Sequence, residues 1–244
     1  MDCEAFLGLL QFSDGLFPVG SYAHSFGLES YTAAGTIHDA NGVEAFLLSY
    51  LQGSVAPTDV IAAIASRKAA LSEALGIERC IIIDHQLDAM KSASELRDAS
   101  RQMGRQTLRI AANLGEPFTQ HGLHGVHGRH KLIPKLFDAV DNSETPGHHA
   151  IAFGAVGAVL GWQDAEMACA LLYSTCAGLA AAALRLLPLG QLAGQRILRS
   201  LAPAIASLAK EVQGADLADI WSFAPGIEIA AMRHALLDAR LFRS

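Results

Sequence analysis

Residues 17–29 read FPVGSYAHSFGLE and place a sharp turn directly before the start of a helix. Pro18 fixes its own φ and disfavours helical angles at Phe17, and Gly20 tolerates the positive φ that many turns need. Ser21 is a residue type that caps helix N-termini, so we expect a helix to begin there. By the i, i+3, i+4, i+7 rule, one face of that helix would carry four side chains: Tyr22, Ser25, Phe26 and Glu29.

The remainder of the sequence predicts an all-α fold. Hydrophobic residues make up 51% of the chain and aromatic residues only 7%, so the apolar mass is largely Ala and Leu, which favours helices over sheets. Asp39 is placed to cap a helix and Pro57 to open the next, while Ser92 and Glu95 form a capping-box pattern. Because no change in composition marks a boundary, we expect one domain over residues 1–244, a bundle of about ten helices.

Two segments depart from the amphipathic pattern. Residues 115–149 contain repeated Gly, three Pro and clustered His, and are predicted to form a long flexible loop in which residues 132–140 have the pattern of a short helix. Residues 167–184 carry no charge over eighteen positions, which is the length of a membrane span. Seven of the eighteen are Ala and three polar side chains interrupt the run, so we interpret it as a buried core helix and expect no membrane association.

Bulk properties exclude several classes of protein. The net charge of −6 offers no basic patch for nucleic acid, so the expected partners are proteins. The sequence contains no GxxxxGK[ST], GxGxxG or HExxH motif for phosphate, dinucleotide or zinc. The four cysteines form no CxxC pair and no signal-peptide pattern precedes them, which indicates the reducing cytoplasm.

Few patterns suggest catalysis. Ser207 and Lys210 have the SxxK spacing of one class of serine nucleophile, but the companion SDN and KTG motifs are missing, so chance explains the match better. No catalytic triad can be assembled from the sequence. Four arginines recur at four-residue intervals after Ser92 and predict either a solvated helix face or a docking face for an acidic partner: Arg97, Arg101, Arg105 and Arg109.

A histidine-rich stretch, HGLHGVHGRH, has a histidine at every third position with glycines between them. Neutral imidazoles are ligands for Ni, Zn and Cu, and a flexible segment could fold two or three of them around one ion. Ordering such a segment opposes binding, and a solvated loop is the alternative. No other cofactor is expected. The candidate metal ligands are His121, His124, His127 and His130.

The last six residues, ARLFRS, place Phe242 between two arginines. Chain ends fray unless something holds them, and an aromatic side chain beside guanidinium groups is typical of interface hot spots. The pattern therefore predicts either a partner contact or a tail docked on its own domain.

Four segments together resemble the UreF family of urease accessory proteins: PVGSYAHSFGLE at 18–29, LPLGQLAGQRIL at 187–198, IEIAAMRH at 227–234 and ARLFRS at 239–244. They occur in the family's order and span nearly the whole chain. The middle of the sequence is similar only through helix length and the segment SELRDASRQMGR at 94–105.

The resemblance implies a cytoplasmic, non-catalytic assembly factor that bridges UreD (also called UreH) and the GTPase UreG, delivers nickel into apo-urease and forms a homodimer. The histidine-rich stretch is not part of the family pattern. By resemblance, Tyr22 and Arg240 are the first candidates for partner contacts. Further candidates are Ser21, His24, Arg233, Leu241, Phe242, Arg243 and Ser244.

Three alternatives stay open. The chain could be a nickel carrier that uses the four histidines, a hydrolase that uses Ser207, or an activator of the partner GTPase. In the last case an arginine, with Arg240 as the candidate, would stabilise the charge on the transferred phosphate.

Overall fold

The computed structural model describes residues 1–72, 75–114 and 131–243. Within those ranges the chain is all-α, as predicted, and contains no strand. The α-helices are α1 (Cys3–Ser13), α2 (Leu28–Ala33), α3 (Ala40–Tyr50), α4 (Ile61–Ala70), α5 (Gly76–Met90), α6 (Ser94–Leu114), α7 (Leu132–Asp141), α8 (His149–Val159), α9 (Asp164–Leu186), α10 (Gln191–Glu211) and α11 (Pro225–His234).

Helix α8 is the centre of the bundle and is buried on every side from Ala150 to Val159. It packs between α4 and α6, and small residues let the backbones come close. A Cβ atom added at Gly154 would lie 2.2 Å from the carbonyl oxygen of Ala63 in α4. One added at Gly104 in α6 would meet the backbone of Gly147, directly before α8. Glycine at these positions therefore sets the spacing of three helices.

Helices α3 and α4 are one continuous run, because the π-helical segment Leu51–Val60 joins them. Pro57 lies inside this segment and has no N–H to donate to a carbonyl of the preceding turn. The chain leading to α11 supplies donors from outside: Phe223 N–H bonds to the Gly53 carbonyl at 2.8 Å and Trp221 N–H to the Pro57 carbonyl at 3.3 Å. These two hydrogen bonds hold the segment before α11 against the irregular helix.

Several predicted helix boundaries are confirmed and others are wrong. Asp39 caps α3 by accepting from Gly42 N–H at 2.8 Å. The helix expected to start at Ser21 is only a single 3₁₀ turn, and α2 begins at Leu28. The cause is a backbone break, since Phe26 has φ 50° and Gly27 has φ 89°.

The middle of the chain also differs from the prediction. Helix α6 begins at Ser94, so Ser92 does not cap it. Within the predicted loop 115–149, residues 115–130 lie outside the described residues, whereas α7 confirms the short helix expected over 132–140.

Two helical runs are long and apolar enough to cross a membrane by length and composition: Ala40–Ala70 and Asp164–Leu186. In the fold, 67% and 50% of their most apolar windows are buried against other helices. The second run contains the uncharged segment 167–184, and its buried face packs in the core as predicted.

We expect Gly154→Ala to destabilise the protein by about 1 to 3 kcal/mol, because the added methyl group would force α8 away from the Ala63 carbonyl. Gly178→Ala is the matched control: this glycine lies inside α9, and outside its own helix backbone no atom lies within 4 Å of an added Cβ. Alanine there should stabilise by up to about 1 kcal/mol. Urea denaturation of both variants measures the difference, and equal effects would contradict the close-packing account.

Candidate functional site

A buried carboxylate joins the beginning of the chain to its end. Glu29 in α2 is only 6% exposed. Its Oε2 accepts a hydrogen bond from His234 Nε2 at 2.7 Å and one from Phe242 N–H at 3.1 Å, while its Oε1 accepts one from Leu241 N–H at 2.6 Å. We call residues 235–243 the tail, and Glu29 with its three donors the tail anchor.

Local sequence explains why Glu29 reaches the tail. Gly27 has φ 89°, and a Cβ atom there would lie 3.1 Å from the backbone of α11, so glycine allows α2 and α11 to touch. Ser30 then donates to the Ala230 carbonyl at 2.7 Å and locks the two helices together. This contact brings His234, the last residue of α11, over the Glu29 carboxylate.

The tail is held at two further points. The Phe242 ring is 5% exposed and lies under the guanidinium group of Arg185, 4.5 Å from its centroid. Arg185 also donates to the Tyr22 carbonyl at 3.0 Å, and Arg243 N–H donates to the Ala23 carbonyl at 2.8 Å. The turn at residues 21–23 and the tail are therefore neighbours on one surface.

The outer side of this surface exposes an aromatic ring, an aliphatic side chain and several guanidinium groups. Tyr22 is 69% exposed and Leu241 is 52% exposed. The exposed arginines are Arg185, Arg240 and Arg243 beside them, and Arg233 on α11. We call the surface of Tyr22, Arg185, Arg240, Leu241 and Arg243 the tail surface.

Two candidates from the sequence are not on that surface. Phe242 is buried, so the tail is docked on its own domain, and this side chain cannot be a surface contact in this conformation. His24 is also buried, at 3% exposed, and burial followed by the charge of Arg243 lowers its pKa from 6.5 to about 4. Ser21 is half-buried at the start of the 3₁₀ turn.

Other candidates fall elsewhere. Ser244 and the four histidines of the proposed metal site, His121, His124, His127 and His130, lie outside the described residues. In the part of the chain that the structure describes, no group of three or more His, Cys, Asp or Glu side chains is arranged to hold a metal ion. The Ser207 hydroxyl bonds to Glu211 at 2.9 Å on an exposed helix face rather than to Lys210.

The arginine stripe on α6 is largely used inside the chain. Arg97 donates to the Lys91 carbonyl at 3.0 Å, Arg101 bonds to Asp88 at 2.8 Å, and Arg105 pairs with Asp141. These contacts tie α6 to its neighbours, so neither a purely solvated face nor a free docking face describes the stripe.

Sequence reasoning missed Glu29 as an anchor and Arg185 and His234 as its supporting residues. One signal was present: Glu29 is the only Asp, Glu, Lys or Arg in residues 15–38. Asp and Glu are rarely buried without partners, so an acidic residue that is carried into the core by an apolar stretch needs hydrogen-bond donors there. Its partners lie more than two hundred positions away, and no local pattern reports that distance.

Comparisons with known proteins cover the whole chain. The sequence model of the UreF family matches residues 37–202. The chain is 32% identical over 238 residues to the urease accessory protein UreF of Paenarthrobacter aurescens (strain TC1), covering 98% of this chain and 97% of that protein. It is 32% identical over 245 residues to the urease accessory protein UreF of Corynebacterium glutamicum (strain R), covering 100% of both. This last alignment includes the tail anchor, which the family model does not reach.

We expect Glu29→Gln to release the tail, because a neutral amide replaces a carboxylate that accepts three hydrogen bonds, and bonds to a charged group contribute about 1.5 to 3 kcal/mol each. Hydrogen exchange at the Leu241 and Phe242 amides should then become at least tenfold faster. Glu228→Gln is the control, since its carboxylate bonds to Ser222 and not to the tail. Unchanged exchange in Glu29→Gln would show that the anchor does not hold the tail.

Stability should fall as the pH drops from about 6.5 towards 4. The His24 pKa is lowered to about 4 by burial and by Arg243, so the unfolded chain binds a proton at a higher pH than the folded one. The stability that neutral His24 contributes is complete above pH 6.5 and is lost below it. We expect urea midpoints of His24→Gln to vary less between pH 7 and 5 than those of the control His38→Gln, which changes an exposed histidine. Equal pH dependence would contradict this.

Proposed function

This chain belongs to the UreF family of urease accessory proteins, and on that premise we propose that it bridges UreD (UreH) and the GTPase UreG during GTP-dependent nickel insertion into apo-urease. It would act in the cytoplasm and as a homodimer. The bridging role requires binding surfaces and no chemical step in this chain. The absence of a phosphate-binding loop from the sequence is consistent with GTP chemistry in the partner.

One observation carries the proposal: the motif near the start of the chain and the motif at its end meet at the tail anchor. Segments more than two hundred residues apart are brought together to present one surface, and His234 together with two amides of the tail compensates the cost of burying Glu29. Docking of the tail for stability alone does not explain why Tyr22 in the turn and Leu241 in the tail are both exposed beside arginines.

The composition of the tail surface favours a protein partner with an acidic patch. Tyr and Arg are among the residues most enriched at binding hot spots, and arginine pairs with carboxylates through two parallel hydrogen bonds. Arg185, Arg240 and Arg243 give this surface a positive charge, although the net charge of the chain is −6. Opposite charges speed encounter and select the partner. We assign this surface to UreG.

The role of Arg240 is tested by purifying UreG on immobilised chain in the presence of UreD. We expect Arg240→Ala to weaken UreG binding about 30-fold or more, the effect of losing a hot spot worth about 2 kcal/mol. Arg199→Ala is the control, because this arginine is also exposed but lies on α10. Retention of UreG by Arg240→Ala at the level of Arg199→Ala would remove UreG from the tail surface.

A further inference from the structure

Three polar side chains, from α5, from α6 and from the residue before α8, form a hydrogen-bonded relay. Ser100 on α6 lies with its Oγ 3.0 Å from Nδ1 of His148, the residue that precedes α8. His148 Nε2 lies 2.9 Å from Oδ1 of Asp88 on α5. Ser100 is 7% exposed and His148 is fully buried. A hydroxyl, an imidazole and a carboxylate in this order form the relay of an activated serine.

The position of each proton follows from these contacts. An ionised carboxylate only accepts hydrogen bonds, so His148 Nε2 carries the proton that is shared with Asp88. Burial, and then the charge of Lys91, lower the pKa of His148, so the ring is neutral and Nδ1 has a lone pair. The Ser100 hydroxyl therefore donates to Nδ1, which is the orientation that allows the imidazole to remove its proton.

Other contacts hold the relay in place. Asp84 accepts from His148 N–H at 2.9 Å and from Gly147 N–H at 2.6 Å, which fixes the backbone of the imidazole residue. Arg101 donates to Asp88 Oδ1 at 2.8 Å. Burial tends to raise the pKa of Asp88, but the hydrogen bonds from His148 and Arg101 outweigh it and the net pKa is lowered. Asp88 is therefore ionised at neutral pH and orients His148.

Ser100 also lines a cavity of about 190 Å³, which is large enough for a small molecule. For comparison, a dry apolar cavity of about 150 Å³ accommodates benzene. The charged part of the wall comes from Asp14 and from Lys91 and Asp59, which form an ion pair at 2.9 Å. The apolar part of the wall comes from Phe12, Val19, Phe26, Leu96 and Leu171.

We propose that Ser100 is the nucleophile of an acyl-transfer site, with His148 as general base and Asp88 as the residue that positions His148. The substrate class is a short, uncharged ester with an apolar body, which fits an apolar cavity of this size. The two ring nitrogens are exchanged relative to the serine protease triad, in which Nε2 faces the serine. Because both nitrogens belong to one conjugated ring, a proton gained at Nδ1 is stabilised by the carboxylate at Nε2.

The reaction balances with water as the only co-reactant. Ser100 Oγ attacks the carbonyl carbon while its proton moves to His148 Nδ1. The bond between the carbonyl carbon and the alkoxy oxygen then breaks, and His148 returns the proton to the leaving alcohol. Water hydrolyses the acyl-serine by the same route, so ester and water give acid and alcohol. Lys91 lines the same cavity, and in this proposal it is the cation that stabilises the negative oxygen of each intermediate.

The test uses the full chain and p-nitrophenyl acetate as the probe. We expect nitrophenolate release together with an acetyl group mapped by mass spectrometry to Ser100. Ser100→Ala should lose this adduct and slow release by roughly 100-fold or more, the contribution of a positioned base and its nucleophile. Ser200→Ala is the matched control, because Ser200 is also a helical serine but donates to the Ile197 carbonyl on α10 and is not part of the cavity wall.

The positioning role of Asp88 has its own readout. Asp88→Asn should slow acetylation of Ser100, and Asp88→Glu should restore part of the rate, whereas a loss of folding alone would not separate the two variants. Acetyl groups found only on lysines or the amino terminus of the unmodified chain, with equal release by Ser100→Ala, would overturn the proposal. The mapping of acetyl groups is done on the wild-type chain, so it remains informative even if a variant misfolds.

Discussion

The tail anchor depends on a condition that applies to any buried carboxylate: removing Glu29 from water costs several kcal/mol unless its oxygens accept hydrogen bonds. Here those bonds come from His234 and from two backbone amides of the tail. Neither side of the contact is self-sufficient. The carboxylate needs donors, and a short tail without secondary structure needs a fixed acceptor to stay on the domain. The contact between Glu29 and its donors therefore also holds Tyr22 and Arg240 in fixed positions relative to each other.

The sequence predicts those features that depend on residues close together in the chain, and it misses those that depend on residues far apart. Helix caps and apolar periodicity depend on neighbouring residues, and Asp39, α7 and the apolar part of α9 appear where the pattern places them. The error at Ser21 has a local cause that the sequence hides, because Phe26 adopts a positive φ that is rare for an aromatic residue. The relay of Ser100, His148 and Asp88 joins residues 48 and 60 positions apart, and only packing around α8 reveals it.

Buried polar groups are concentrated where α5, α6 and the start of α8 meet. Asp84 and His148 there are inaccessible to solvent, yet their polar atoms are paired. The close approach at Gly104 leaves no space for water, so these polar groups form their hydrogen bonds with one another. This one packing constraint gives the buried polar groups a single arrangement.

The separation of the two halves of the tail anchor also sets when the tail surface first exists. Glu29 and Phe242 are 213 residues apart, and a ribosome adding about 5 to 20 residues per second needs roughly 10 to 40 s to cover that distance. During this interval the nascent chain can form its helices but has no donors for the Glu29 carboxylate. A partner that binds the tail surface therefore cannot bind a chain that is still being translated. The surface forms only after Leu241 and Phe242 have left the ribosome and their amides can reach Glu29.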